Sequence, residues 1–287
     1  MDVLINEIRR LNESINRLVE FFIPSFDELI FNRAIAFRLV QRNGRPVLVA
    51  IDRPDPVRFA ELKGIDWIIE RLRQNTEQFL RGLPYNNVLL YGPRGTGKSS
   101  CVKALLNEYH QEGLRLIEVS RDLLFHLPEL MDIIRKREER FIIFCDDLSF
   151  DEDEKSYRVL KAILEGGLEL RPENMAIYAT SNRRHLMPEK IKENLPDISN
   201  GELHPQESLE EKLSISDRFG LRLGFYQFSS ALYLEIIGNY IKLRNIQVEA
   251  ETLRQEALQW AISHGSFSGR TARQFVDDLE GRLKCGF

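Results

Sequence analysis

Gly92-Pro93-Arg94-Gly95-Thr96-Gly97-Lys98-Ser99 is a complete G-x-x-x-x-G-K-[ST] pattern. Average composition yields this pattern by chance in about one chain in a hundred of this length. Its flanks sharpen the reading: Val88-Leu89-Leu90-Tyr91 has the run of a buried strand, and Ser100 to Tyr109 can continue as a helix. Between a strand and a helix, glycines let the backbone turn tightly and bring its N–H groups against phosphate oxygens, beside a helix N-terminus that favours anions. Lys98 is expected to reach the β- and γ-phosphates of a nucleotide, and Ser99 to ligand Mg2+. Gly92, Pro93, Arg94, Gly95, Thr96, Gly97 and Ser100 complete the binding loop.

Phe141-Ile142-Ile143-Phe144-Cys145 reads as a second buried strand, ending in Asp146 and Asp147, with Asp146 forty-eight residues after Lys98. A carboxylate at such a strand end lies beside the phosphate loop and can hold a magnesium-bound water, so Asp146 is assigned to magnesium. Further strands are expected at Leu114 to Ser120, Met175 to Thr180 and Leu221 to Phe225, with an amphipathic helix from Trp67 to Leu83 before the loop. This alternation indicates an α/β fold, a largely parallel sheet sandwiched by helices. From Phe228 onward only helical patterns follow: Ser229 to Leu243, Glu249 to Ile262 and Thr271 to Leu283.

The N-terminal segment reads differently. Leu4, Ile8, Leu11, Ile15, Leu18 and Phe22 form one helical stripe, expected to pack on the chain's own body, with a partner-binding arm as the alternative. Ser25 to Val40 reads as a second helix with Leu29, Phe37 and Val40 on its apolar side, and Asn43-Gly44 as a turn into a strand at Val47 to Ile51. Asp52-Arg53-Pro54-Asp55-Pro56 fits neither a helix nor a central strand, because each proline removes a donor and biases its predecessor to extended geometry. The expected division is therefore an N-terminal helical extension over 1–56, an α/β core over 57–226 and a helical unit over 227–287.

Composition sets the outer limits. The chain has 287 residues, 43% hydrophobic and 29% charged, as in an ordinary globular protein. Its formal charge of −4 supplies no global positive field for nucleic acid or membrane. Charged residues from Asp2 to Glu20 break any signal-peptide core, so a cytoplasmic protein without membrane attachment is expected. Cys101, Cys145 and Cys285 are too few and too scattered for a disulfide framework or a zinc site, and all three read as thiols. The acidic run Asp151 to Glu154 reads as a solvated loop.

With these motifs the chain resembles an AAA+ ATPase, the ring-forming branch of P-loop NTPases that carries a helical lid after the core. It is similar in particular to bacterial single-module AAA+ ATPases catalogued as a domain of unknown function. The likeness runs through Leu62-Lys63-Gly64-Ile65-Asp66, Tyr85 to Ser100, Tyr178-Ala179-Thr180-Ser181-Asn182-Arg183-Arg184 and Ser216-Asp217-Arg218-Phe219-Gly220. The resemblance implies ATP and Mg2+ as ligands and a helical lid over 227–287. It implies a sensor role for Asn182, whose amide would orient the attacking water. It also implies an arginine reaching the nucleotide of a neighbouring subunit at Arg218, with Arg222 in reserve. A lid sensor falls at Arg273, with Arg270 as the rival, and Ile65 in Gly64-Ile65-Asp66-Trp67 would lie against the base. Trp67 reads equally as a base contact or as plain core.

Two departures from the family pattern stand out. Asp147 occupies the position where AAA+ enzymes commonly carry the glutamate that polarises water; it is one methylene shorter, though still a carboxylate able to act as base. Between Ser120 and Phe141 there is no glycine, and Phe125-His126-Leu127 falls in an expected helix, so the threading loop of unfoldases is not matched. The chain therefore resembles initiators, helicase loaders and small remodellers. The expected function is Mg-ATP hydrolysis in a homo-oligomeric ring or arc, hexameric by resemblance, coupled to remodelling or loading of an unidentified protein partner. The alternative is an ATP-gated oligomeric switch on a nucleic-acid machine, for which Arg135, Arg137 and Arg140 permit phosphate contacts.

Overall fold

A computed structural model describes residues 5, 7, 28–150, 155–166, 171–182, 186 and 215–286. The stripe residues Leu4, Ile8, Leu11, Ile15, Leu18 and Phe22, the run 151–154, and Arg183 and Arg184 lie outside the described residues. Among the described residues, seven strands form one sheet in the order β2-β1-β4-β5-β6-β3-β7. They are β1 (Ala36–Arg42), β2 (Arg45–Ala50), β3 (Val88–Tyr91), β4 (Leu114–Glu118), β5 (Arg140–Cys145), β6 (Met175–Ser181) and β7 (Leu221–Gly224). Every described neighbour pair is parallel except β1 with β2. The helices are α1 (Asp66–Leu80), α2 (Lys98–Tyr109), α3 (Leu127–Ile134), α4 (Lys155–Glu165), α5 (Ser230–Leu243), α6 (Ala250–Ser263) and α7 (Gly269–Cys285).

Over its described part, 28–40, the expected helix over 25–40 is not formed. A 3-10 segment, Glu28–Asn32, is followed by β1. Phe37 and Leu39 are buried on either side of exposed Arg38, a period of two that a helix cannot satisfy. Asn43 and Gly44 both adopt positive φ, 49° and 79°, the two-residue turn whose twist matches a hairpin. Arg42 then faces Arg45, and β1 pairs in parallel with β4. Phe31 anchors the preceding segment, its ring edge-on to Phe37 and Phe141 at 5.1 and 5.0 Å. The stretch assigned to a helical extension therefore supplies two strands to the main sheet. The proline segment after it is strapped down: Asn107 Nδ2 donates to the carbonyls of Asp55 and Val57 at 2.8 Å each.

Both faces of the parallel strands are covered, as such strands require. Ile142, Phe144, Ala176 and Tyr178 point to one face, where α1, α2 and the C-terminal helices pack. Phe141, Ile143, Met175 and Ile177 point to the other, with Leu124, Leu130 and Leu160 over them. The C-terminal helices share the first core through Tyr233, Ile236, Phe275 and Val276. Among the described residues no helix is long and apolar enough to cross a membrane. Cys101 and Cys145 are buried and Cys285 exposed, all as free thiols, and burial pushes the first two up to about 12.

One polar knot lies inside the first core. The Tyr178 hydroxyl receives Asn75 Nδ2 at 3.0 Å and shares a hydrogen bond with Thr76 Oγ1 at 2.9 Å. Asn75 also accepts from the Asn86 N–H and donates to the Asn86 carbonyl, both at 3.0 Å, which ties α1 to the entry of β3. Tyr178→Phe keeps the ring but deprives the buried Thr76 hydroxyl of that partner. It should cost about 1–3 kcal/mol and lower the thermal unfolding midpoint by about 2–6 °C, measurable by calorimetry.

Candidate functional site

The C-terminal end of β3 opens into the glycine-rich loop between the ends of β6 and β7. Gly92 has φ 137°, and a Cβ there would lie 2.2 Å from the Phe225 carbonyl oxygen, so the loop leaves the sheet through a gap that only glycine fits. Thr96 Oγ1 donates to the Pro93 carbonyl at 2.8 Å and shapes the loop. Lys98, the first residue of α2, folds back under it: Nζ donates to the carbonyls of Gly92 and Pro93 at 2.7 Å each and to Asn182 Oδ1 at 3.2 Å. Desolvation by burial holds the Lys98 pKa below its ordinary value, against the opposing pull of Asp147 and Asp146, while Arg270 and Arg94 lower it further.

Asp146 stands at the end of β5 and draws two elements together. Its Oδ1 accepts from Ser99 Oγ, on α2, and from Thr180 Oγ1, near the end of β6, at 2.6 Å each. The sequence alone assigns Thr180 no role: it lies two residues before Asn182 on a strand that also carries the hydroxyls of Tyr178 and Ser181. Thr180 Oγ1 also accepts from the Asp147 N–H at 2.9 Å. Asp147 has φ 52°, in the left-handed region. Asp tolerates that region better than most residues because its short polar side chain bonds locally, which gives a physical reason for aspartate at this position. Here Oδ1 accepts from Asn182 Nδ2 and Oδ2 lies 3.5 Å from an Arg94 nitrogen.

The C-terminal helices close the other side. The Gly269 N–H donates to the Gly95 carbonyl at 2.8 Å, and a Cβ on Gly95, whose φ is 76°, would meet Ser268 Oγ at 2.8 Å. Ser268 caps α7 by accepting from the Thr271 N–H. Arg270 and Arg273, the two candidate sensors, both line the resulting cavity of about 470 Å³, together with Lys98, Ser99, Asp146, Asp147, Asn182, Ile65 and Tyr240. Trp67 is neither core nor cavity wall; it is 53% exposed. Phe125 is likewise exposed, whereas Leu127 is fully buried.

Arg218 stands apart. It precedes β7, whereas the phosphate loop follows the parallel β3, so at least the length of that strand, about 13 Å, separates them. It is half-exposed and pairs with Glu165 at 3.2 Å, and Arg222 pairs with Asp217. The structure brings Lys98, Ser99, Asp146, Asp147, Asn182, Arg270, Arg273 and Ile65 to one cavity and leaves Arg218 outside it.

These residues fit a magnesium-bound phosphate chain. A cradle that any Cβ at Gly92 would obstruct ends at a helix N-terminus, a partly desolvated lysine sits beneath it, and a hydroxyl and a carboxylate meet at 2.6 Å as hard oxygen donors. Solved structures share the fold. The Thermotoga maritima RuvB Holliday junction branch migration motor aligns at TM-score 0.52 with 16% identity, over 79% of this chain and 67% of that one. Two variants of the same RuvB align at TM-scores 0.53 and 0.54 with 17% and 16% identity, each over 80% of this chain. This chain spans 66% of the length of those two. No curated protein matches the sequence.

The fold is thus the AAA+ fold of the RuvB structures. The chain belongs to the family described as "Protein of unknown function (DUF815)", which matches residues 32–283.

The backbone at Asp147 yields a stability expectation. Glycine occupies φ 52° freely, whereas a β-branched residue does not. Asp147→Gly should leave the unfolding midpoint within about 2 °C of the parent, and Asp147→Val should lower it by about 4 °C, as read by thermal denaturation monitored by circular dichroism.

Proposed function

We propose that this protein binds Mg-ATP and hydrolyses it within a homo-oligomeric ring or arc, coupling turnover to remodelling or loading of a macromolecular partner. The observation that carries the reading is the meeting of Ser99 and Thr180 on Asp146 beside the Lys98-floored loop, because this donor set has the chemistry of a magnesium-phosphate site. Ser99 and Asp146 would hold the ion, which when bound supplies neutralising charge on the phosphates. Lys98 would exchange its carbonyl partners for phosphate oxygens. Asp147 is the candidate base and Asn182 the candidate orienting amide; their contact already fixes one relative to the other. Arg270 and Arg273 both stand at the lid wall, and either can report the nucleotide to the lid, taken as 227–287 beside a core over 57–226.

Arg218 supports assembly in this reading. Placed at the opposite end of β7 from its own phosphate loop, it can serve only a neighbour's nucleotide, where a guanidinium stabilises charge on the transferred phosphoryl group. A second reading, an ATP-gated switch with slow turnover acting on a nucleic-acid machine, is favoured by a single observation: both oxygens of Asp147 are already engaged, by Asn182 and Arg94. Burst and steady-state rates separate the two readings.

Lys98→Ala should abolish the rise in unfolding midpoint that Mg-ATP gives the parent protein. Arg218→Ala should retain that rise and lose hydrolysis by about 10³-fold. Mixing the two variants should restore part of the activity, because mixed interfaces pair an intact loop with an intact Arg218. Phosphate release measured across protein concentrations checks this, and activity independent of concentration without rescue on mixing refutes the assembly.

A further inference from the structure

Lys98, Asn182, Asp147 and Arg94 form a chain of contacts that begins and ends in the phosphate loop. Lys98 Nζ donates to Asn182 Oδ1 at 3.2 Å, Asn182 Nδ2 donates to Asp147 Oδ1, and Asp147 Oδ2 faces the Arg94 guanidinium at 3.5 Å. Cations stand at both ends, the single carboxylate lies between them, and all four side chains line the same cavity. The link to Arg94 is the loosest. Its separation exceeds a good charge-assisted hydrogen bond, and Arg94 and Asp147 are 74% and 58% exposed. Arg94 belongs to the loop itself, between the two carbonyl-bearing residues under which Lys98 folds and the glycine that receives α7.

We propose that Arg94 senses the terminal phosphate: it rests against Asp147 when no γ-phosphate is present and transfers to the γ-phosphate of ATP, freeing one oxygen of Asp147 for water. The inference rests on the ATP-site reading above. A guanidinium prefers a multiply charged phosphate, which offers several acceptor oxygens, to a single exposed carboxylate at 3.5 Å. The terminal phosphoryl group is also the part of the nucleotide for which the Lys98–Asn182 end of the chain would compete, so both ends exchange partners together. ADP lacks that group and leaves Arg94 on Asp147. Arg94 would therefore contact substrate, act on Asp147 by withdrawal, and contribute to ATP affinity but not to ADP affinity.

Titration calorimetry with Mg-ATPγS and with Mg-ADP tests this directly. Arg94→Gln should weaken Mg-ATPγS by about tenfold and change Mg-ADP by less than about twofold, while Arg94→Lys, which keeps the charge, should recover part of the loss. Asp147→Asn releases Arg94 from its resting partner and should tighten Mg-ATPγS in the parent background. In the Arg94→Gln background that gain should shrink at least about threefold, a coupling that a merely structural arginine would not produce. Equal weakening of both nucleotides, no weakening of either, or an undiminished gain in the double variant would overturn the proposal while leaving the ATP site intact. Failure of the parent protein to bind either nucleotide would instead overturn the ATP-site reading, and this inference with it.

Discussion

A single carboxylate oxygen organises the site. Asp146 Oδ1 receives the hydroxyls of Ser99 and Thr180, so the strand that carries the acid, the helix that follows the phosphate loop and the neighbouring strand are joined at one atom. Hydrogen bonds to an ionised acceptor are about twice as strong as neutral ones, and two here share one acceptor. Thr180 passes the constraint on, because the same hydroxyl that donates to Asp146 accepts from the Asp147 N–H and pins that residue in the left-handed region. The backbone of Asp147 is thus constrained through its neighbour's partner, while its carboxylate meets Asn182 and Arg94.

The positions of the glycine-rich motif, Asp146, Asp147 and Asn182 at one cavity, and the parallel core, were legible because each is written locally: a spaced motif, an apolar run ending in acid, a strand followed by an amide. The hairpin of β1 and β2 was also written locally, in Asn43-Gly44, but Leu29, Phe37 and Val40 equally suit a helical period. Only the parallel partner β4, about 80 residues away, shows that Phe37 and Leu39 alternate into a core. Trp67 illustrates the converse, a large apolar side chain that no pattern obliges to be inside and that faces solvent. Thr180 was illegible because a hydroxyl on a buried strand gains meaning only when its carboxylate acceptor, from a different strand, stands beside it.

The lid contact has the same character. Nothing in the spacing of Gly95 and Gly269 announces that one donates to the other's carbonyl across 174 residues. The two arginines at the head of α7 were separable as motif positions, yet both reach the cavity wall because consecutive turns of a helix whose N-terminus abuts the loop present residues one turn apart to the same space. The departure at Asp147 likewise becomes intelligible only with its φ angle, which the identity of the residue does not disclose.

The gap at Gly92 bears on how the molecule comes to exist at all. Phe225 meets Gly92 across 133 residues of chain, and β3 is flanked by β6 and β7, both far later in sequence. The β1–β2 hairpin, by contrast, closes over two residues. Contacts that span such distances carry a larger loop-closure entropy and form late. The cradle is therefore among the last parts of the chain to acquire its shape during folding, after the hairpin and the helices that need only near neighbours. A newly synthesised chain lacks one side of the cavity until the segment after residue 220 has emerged, and an early release of the C-terminal third would leave an intact motif without the wall that Phe228, Tyr240, Arg270 and Arg273 supply.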